Sequence, residues 1–321
     1  MHMINYYKIF ELKNQLFNMI KAVCERVLIN MRIGVAVIDT GIYRHLDFDN
    51  RIAGFVDFVN GRISPYDDSG HGTHVSGIIA GSGKCSNGRY RGIEPKAQLV
   101  SIKVLDNVGN GRIENVLNGL EWVYKNHFKY NIRVLNISFG ATSENELNEE
   151  SDLIYAVEKI WDCGIVVVAA AGNSGPDRYS ITAPGISRKV ITVGAFDDMA
   201  FQNMAQSSRK NSKERYNAGK SIRYYSGRGP TKACIVKPEL VVTGSNIVAC
   251  SNKKNSYTVK SGTSMSAPIV SGAVARLLRK YPDMTPKEVK VKIKKCCKKI
   301  NLPLNQQGWG MLDLTKFISG E

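Results

Sequence analysis

Val35-Ala36-Val37-Ile38-Asp39-Thr40-Gly41 is a near-continuous apolar run that stops at a carboxylate and a glycine turn. A half-exposed strand alternates polar and apolar residues, whereas an unbroken run suits the centre of a parallel sheet covered on both faces. Asp39 then stands at the C-terminal end of the strand, where open α/β sheets place their sites. The same pattern repeats outward from here. Residues 99–105, 134–138 and 164–171 read as further apolar strands, and residues 112–124 and 153–163 carry apolar side chains at helical spacing. This alternation predicts an α/β fold with a mainly parallel central sheet and helices on both faces.

With 43% hydrophobic residues in 321, the chain has material for a large core, and no Pro/Ser/Gly tract or internal repeat divides it. One domain over residues 32–321 is expected, preceded by an extension over residues 1–31. In that extension Ile9, Leu12, Leu16, Met19, Ile20, Val23 and Val27 recur at helical spacing, which predicts an amphipathic helix over 6–28. Lys8, Glu11, Lys13, Lys21, Glu25 and Arg26 interrupt any apolar core of signal or membrane-spanning length, so a cytoplasmic location and no membrane partner are expected. Seven cysteines, an odd number with no C-x-x-C pair, predict free thiols in a reducing compartment.

The formal net charge of +16 points to partners of opposite sign. Much of it is local, with seven lysines between 287 and 299 and a second basic cluster over 209–228. These read as a solvated helix face and a surface loop, and the lack of any zinc-finger or RNP-type motif argues against a nucleic-acid partner. Gly81 and Gly83 before Lys84 lack the spacing of a phosphate loop.

Three further stretches carry chemistry. Gly262-Thr263-Ser264-Met265-Ser266-Ala267-Pro268 places a serine among small residues, after a strand over 257–259 and ahead of a helix over 267–280. At a helix start the unpaired N–H groups favour developing negative charge, and Pro268 is accommodated in a first turn that needs no donor. Asp68-Ser69-Gly70-His71-Gly72-Thr73-His74-Val75-Ser76-Gly77 puts His71 at the start of a helix to Ala80, capped by Asp68 or Ser69. His74, one turn on, has no third metal ligand in a recognised pattern and reads as a packing residue. Val166-Val167-Val168-Ala169-Ala170-Ala171-Gly172-Asn173 is a buried strand ending in an asparagine.

Taken in the order Asp, His, Asn, Ser, these stretches resemble the motifs of the subtilisin-like serine proteases, the subtilases, over residues 32–314. An α/β-hydrolase fits badly, since its elbow needs glycine where Ser266 stands and its triad runs Ser, Asp, His. The resemblance implies the three-layer subtilisin-like fold and peptide-bond hydrolysis by Asp39, His71 and Ser264, with Asn173 in the oxyanion hole. It also implies protein or peptide substrates held as an added strand between Gly109-Asn110-Gly111 and Ser138-Phe139-Gly140, with Ala170 and Gly172 beside them. Ala183-Pro184-Gly185 resembles the wall of the primary specificity pocket, with a cis proline. Pocket edges of Phe139, Ala170 and Gly172 suggest large or apolar side chains at the cleaved position. No cofactor is required for such chemistry. The family's structural calcium site would fall near Asp47 and residues 82–91, but this stretch is basic and poor in carboxylates. Residues 200–224 form a basic insertion where the family turns within a few residues.

Overall fold

Val35, Ala36, Val37 and Ile38 are completely buried, as the unbroken apolar run requires. The computed structural model describes residues 32–141, 150–196 and 225–319. Two units divide at Arg32, Met1–Arg32 and Ile33–Glu321. The helix expected over 6–28 and the insertion expected over 200–224 lie outside the described residues.

Among the described residues the strands are β1 (Gly34–Asp39), β2 (Ile52–Asp57), β3 (Gln98–Lys103), β4 (Ile132–Ile137), β5 (Val166–Ala170), β6 (Ile191–Phe196), β7 (Leu240–Thr243), β8 (Ile247–Cys250), β9 (Tyr257–Lys260), β10 (Cys297–Lys298) and β11 (Met311–Leu312). Nine of them form one sheet in the order β10-β11-β7-β6-β5-β4-β1-β3-β2, while β8 and β9 pair as a separate hairpin. Every pairing in the large sheet is parallel except β10 with β11. Strand β1 sits inside it with β3 and β4 pairing its two edges, and helices cover its faces.

Among the described residues the longer helices are α1 (His71–Ala80), α2 (Ile113–Asn126), α3 (Asp152–Asp162), α4 (Thr263–Lys280) and α5 (Pro286–Cys296). Helices α1 and α4 pack together on one face and α2 and α3 together on the other, completing a three-layer α/β fold. Helix α4 lies across β4, β5 and β6, and from Thr263 to Leu278 only Ser264 and Arg276 escape full burial. Each of its enclosed valines and leucines contributes roughly 1.5–3 kcal/mol by leaving water. This helix begins four residues earlier than the sequence suggests. Pro268 therefore stands in the second turn, where its missing N–H withdraws the intrahelical donor from the Ser264 carbonyl.

Helix α5 starts with a capping box between Thr285 and Glu288 and buries Val289 and Ile293, leaving most of its lysines in solvent. Lys290 departs from the solvated-face reading, because its Nζ pairs with Glu239 Oε1 at 2.8 Å.

Candidate active site

At the C-terminal end of β1 the backbone turns sharply, and Asp39 is wholly enclosed. Its Oδ1 accepts hydrogen bonds from the Thr40 N–H at 2.7 Å and from His71 Nδ1 at 2.7 Å. Its Oδ2 is buried without a partner. The carboxylate thus directs its charge at the imidazole. Burial works against an imidazolium at His71, but Asp39, as a charge and as an acceptor, outweighs it and holds the His71 pKa above its ordinary value.

What places His71 is a residue the sequence reading did not select. Neither Asp68 nor Ser69 caps α1; the cap position is Gly70, at φ 84°, with no side chain to offer. Asp67 supplies the cap from outside. Its Oδ1 accepts from the Ser69 and Gly70 N–H groups and the Thr40 hydroxyl, and its Oδ2 accepts from the Thr73 N–H and hydroxyl. One carboxylate therefore ties the helix start to the residue after Asp39. Gly72 completes the join: a Cβ there would lie 2.2 Å from the Gly41 carbonyl oxygen and 3.2 Å from Asp39 Cβ.

Asp68 instead faces Lys103, whose side chain is entirely buried. Lys103 Nζ donates to the Thr40 carbonyl at 2.7 Å, the Leu105 carbonyl at 2.8 Å and Asp68 Oδ1 at 2.8 Å. Three segments around the site thus meet on one ammonium. Removing it leaves the Thr40 and Leu105 carbonyls without this donor while Asp68 turns to water, so Lys103→Met is expected to destabilise the protein by about 2–4 kcal/mol, read as a lowered denaturation midpoint in urea.

Ser264, second residue of α4, shares a cleft of about 300 Å³ with His71 and Asn173. Among the described residues no hydrogen bond joins His71 Nε2 to Ser264 Oγ, and both side chains line the same cleft. The Asn173 amide is oriented by its neighbours: Oδ1 accepts from both the Thr263 N–H and the Thr263 hydroxyl at 3.0 Å, which leaves Nδ2 as the outward donor. A Cβ on Gly262 would stand 3.4 Å from Asn173 Nδ2 and 3.8 Å from the Ser264 nitrogen. Asn173 Nδ2 and the Ser264 N–H thus lie on the same side of Gly262, where a side chain would crowd them.

Of the residues expected along the substrate, Gly109, Ser138, Phe139, Gly140, Ala170 and Gly172 line this cleft, together with Thr182. Asn110 and Gly111 do not line it. The Asn110 backbone closes a tight turn with Asp106, and a Cβ on Gly111 would meet Leu105 and Val104. Ser138 turns its hydroxyl inward, where it accepts from Asn136 Nδ2, while Asn136 Oδ1 accepts from Ser271 on α4. This leaves the backbone of residues 138–140 as the edge of the cleft. The Ala183–Pro184 bond beside it is cis.

His74 is packed between α1 and the β8–β9 hairpin, with Nε2 at 3.1 Å from the carbonyls of Ile247 and Thr258. Burial depresses its pKa to about 4, so it stays neutral. A separate group, His45, Asp47 and Cys85, has the spacing of a metal site. Its donors are already engaged. Asp47 Oδ1 accepts from the Cys85 N–H, and Oδ2 from the Gly83 N–H and the Tyr257 hydroxyl. The His45 ring takes the Asp47 N–H on Nδ1 and lies 3.0 Å from the Ser256 carbonyl through Nε2. A cation at Asp47 would have to displace N–H and O–H donors aimed at the same lone pairs.

Burial would raise the Asp47 pKa, but the hydrogen bonds from Cys85, Tyr257 and Gly83, with His45, hold it below the usual carboxylate value. A depressed pKa contributes stability that is present above the unfolded-state value and lost as pH falls through the folded one. Asp47→Ala is expected to cost on the order of 3–5 kcal/mol near neutrality by orphaning these donors, with the gap to wild type narrowing in strong acid. Denaturant melts across the acid range check both the cost and its pH dependence.

Comparison with known proteins agrees with this geometry. A sequence profile described as the subtilase family matches residues 31–310. The chain is 42% identical to "Serine protease AprX" of Bacillus subtilis (strain 168), over 82% of this chain and 60% of that protein. It is 33% identical to "Subtilisin DY" of Bacillus licheniformis, over 81% of each. Among solved structures, "S41 Psychrophilic Protease" superposes with a TM-score of 0.71 at 27% identity, covering 88% of this chain and 91% of that one. The matched stretch thus spans about three fifths of the length of AprX. By its profile, its relatives and its fold, this chain belongs to the subtilase family.

Proposed function

We propose that the protein is a serine endopeptidase that cleaves peptide bonds through an acyl-enzyme on Ser264. The observation that carries the reading is the 2.7 Å contact between His71 Nδ1 and Asp39 Oδ1, made in the cleft that Ser264 shares. With Nδ1 engaged by Asp39, Nε2 is left to take a proton from Ser264 Oγ as it attacks the carbonyl. Asp39 holds the ring in that tautomer and stabilises the imidazolium. Asn173 Nδ2 and the Ser264 N–H receive the oxyanion, and His71 then passes its proton to the leaving amine. Water repeats the cycle and frees the acid.

The substrate backbone lies along residues 138–140, whose side-chain hydroxyl at Ser138 is turned away. The chemistry uses no cofactor, and we place no calcium at Asp47, since protein donors fill its coordination sphere. A reducing, cytoplasmic setting is supported by six free cysteines among the described residues. No helix among those residues is long and apolar enough to cross a membrane. Labelling by a fluorophosphonate probe tests the activity: the wild type is expected to label and Ser264→Ala is not. An unlabelled wild type that also leaves peptide substrates intact overturns the reading.

A further inference from the structure

Helix α5 sets Lys287, Lys290, Val291 and Lys294 three and four residues apart, so they share one face. That face is one wall of a cavity of about 330 Å³, and Trp161, Trp309 and the Arg188–Lys189 stretch make the others. The cavity lies away from the catalytic cleft. Trp161 and Arg188 come just before the N-terminal ends of β5 and β6, whereas Asp39 closes β1 and Asn173 follows β5, and these strands run parallel. The two sites therefore open at opposite poles of the sheet, at least the length of β5, roughly 17 Å, apart.

The walls are tied to one another. Lys290 Nζ donates to the Arg188 and Lys189 carbonyls at 2.9 Å and to the Val190 carbonyl at 3.1 Å, and pairs with Glu239. At the rim Lys189 pairs with Asp162 at 2.7 Å. With those two lysines answered, three cations remain: Arg188, Lys287 and Lys294 are all exposed, and none has a carboxylate partner among the described residues. Like charges gathered around one hollow repel each other, a cost that an entering anion removes.

Beneath these charges the lining is two indoles, Val291 and the methylene stems of the lysines, so an apolar group is also accommodated. Each indole already carries an ammonium over its ring, Lys290 Nζ at 5.7 Å from the centre of Trp161 and Lys294 Nζ at 5.9 Å from that of Trp309. A nucleic-acid base stacking on either ring would have to displace that ammonium. Carboxylates instead meet the ammonium groups, and an apolar side chain meets the ring edges. The chemistry fits a peptide segment in which acidic residues flank an apolar or aromatic one.

We infer that this cavity is an exosite that captures protein substrates through such an acidic segment, while the bond is cut at the other pole. This rests on the endopeptidase reading. A tetrapeptide in the cleft spans about 13–14 Å when fully extended, too short to occupy both sites. The exosite thus leaves short substrates unaffected and lowers KM for proteins, by raising the local concentration of a tethered chain.

Binding is measured first on Ser264→Ala, with a heptapeptide of one phenylalanine between two runs of three glutamates as the probe. Two of the three tryptophans of the chain stand in the cavity, so their fluorescence follows its occupation. Saturable binding is expected, weakened by salt and lowered at least tenfold when Arg188→Gln, Lys287→Gln and Lys294→Gln are combined or when the phenylalanine is replaced by glycine. An oligonucleotide that binds more tightly than the peptide overturns the inference, as does peptide binding that ignores the three substitutions or the phenylalanine.

In the active enzyme, an unfolded protein substrate carrying the same segment far from the cut is expected to show a KM at least fivefold lower than one without it. The advantage should vanish in the triple variant, while a chromogenic tetrapeptide is cut equally by both proteins, which also shows that the variant is folded. Equal KM with and without the segment overturns the exosite role. Inertness toward every substrate would instead overturn the endopeptidase reading, and the binding measurements, which need no turnover, would still decide whether the cavity takes an acidic peptide.

Discussion

Ser264→Ala is expected to lower kcat by on the order of 10⁵–10⁶-fold, with KM little changed, the scale seen when the nucleophile is removed from subtilisin. The geometry gives the reason. In the proposed mechanism Asn173 Nδ2 and the Ser264 backbone N–H are the oxyanion donors, and neither depends on the hydroxyl. Ground-state binding along residues 138–140 is likewise untouched, so the loss falls on the chemical step. A residual rate above that of water remains from the oxyanion donors alone. Active-site titration and steady-state kinetics on purified variant protein check the split. A fall in kcat of less than about tenfold would remove Ser264 from the reaction.

Asp39→Asn carries the second largest effect, about 10⁴-fold in kcat. The side chain keeps its volume, but the Thr40 N–H and His71 Nδ1 share one oxygen, Oδ1, so an asparagine that keeps both bonds puts its NH2 where Oδ2 is buried without a partner, and one that flips sets a donor against both. Neither orientation holds the tautomer with a basic Nε2 as the carboxylate does. The charge is lost as well. Because Asp39 outweighs burial in setting the His71 pKa, its removal leaves burial unopposed and the pKa falls. Activity requires neutral His71, so the acid limb of the wild-type profile lies above the ordinary imidazole value of about 6.5. In Asp39→Asn that limb is expected to move to lower pH while the plateau drops. Profiles of kcat/KM against pH for both proteins test this, and an alkaline shift in the variant would contradict the assigned coupling.

The sheet and the four motif residues were legible because each is written locally. Unbroken apolar runs at β1 and β5 fit doubly covered strands, with Asp39 closing the first and Asn173 three residues after the second. His71 and Ser264 begin helices, which short-range spacing reveals. Asp67 and Lys103 were not legible, since each acts through partners distant in the chain. Asp67 reads as one more loop acid until Thr40 and Thr73 converge on it. Lys103 ends an apolar strand, and only the fold shows three carbonyl and carboxylate oxygens waiting for it. Sequence alone does not separate the two uses of Gly111, because a glycine packed closely against Leu105 and Val104 looks like one that admits a substrate.

The burial of α4 across the sheet bears on how such an enzyme is made safely. Asp39 and His71 are translated early, but Ser264 rides on a late helix whose apolar sides find cover only on the assembled strands. On the proposed mechanism, a chain emerging from the ribosome would hold base and orienting acid without a placed nucleophile, and self-cleavage would wait until α4 has docked.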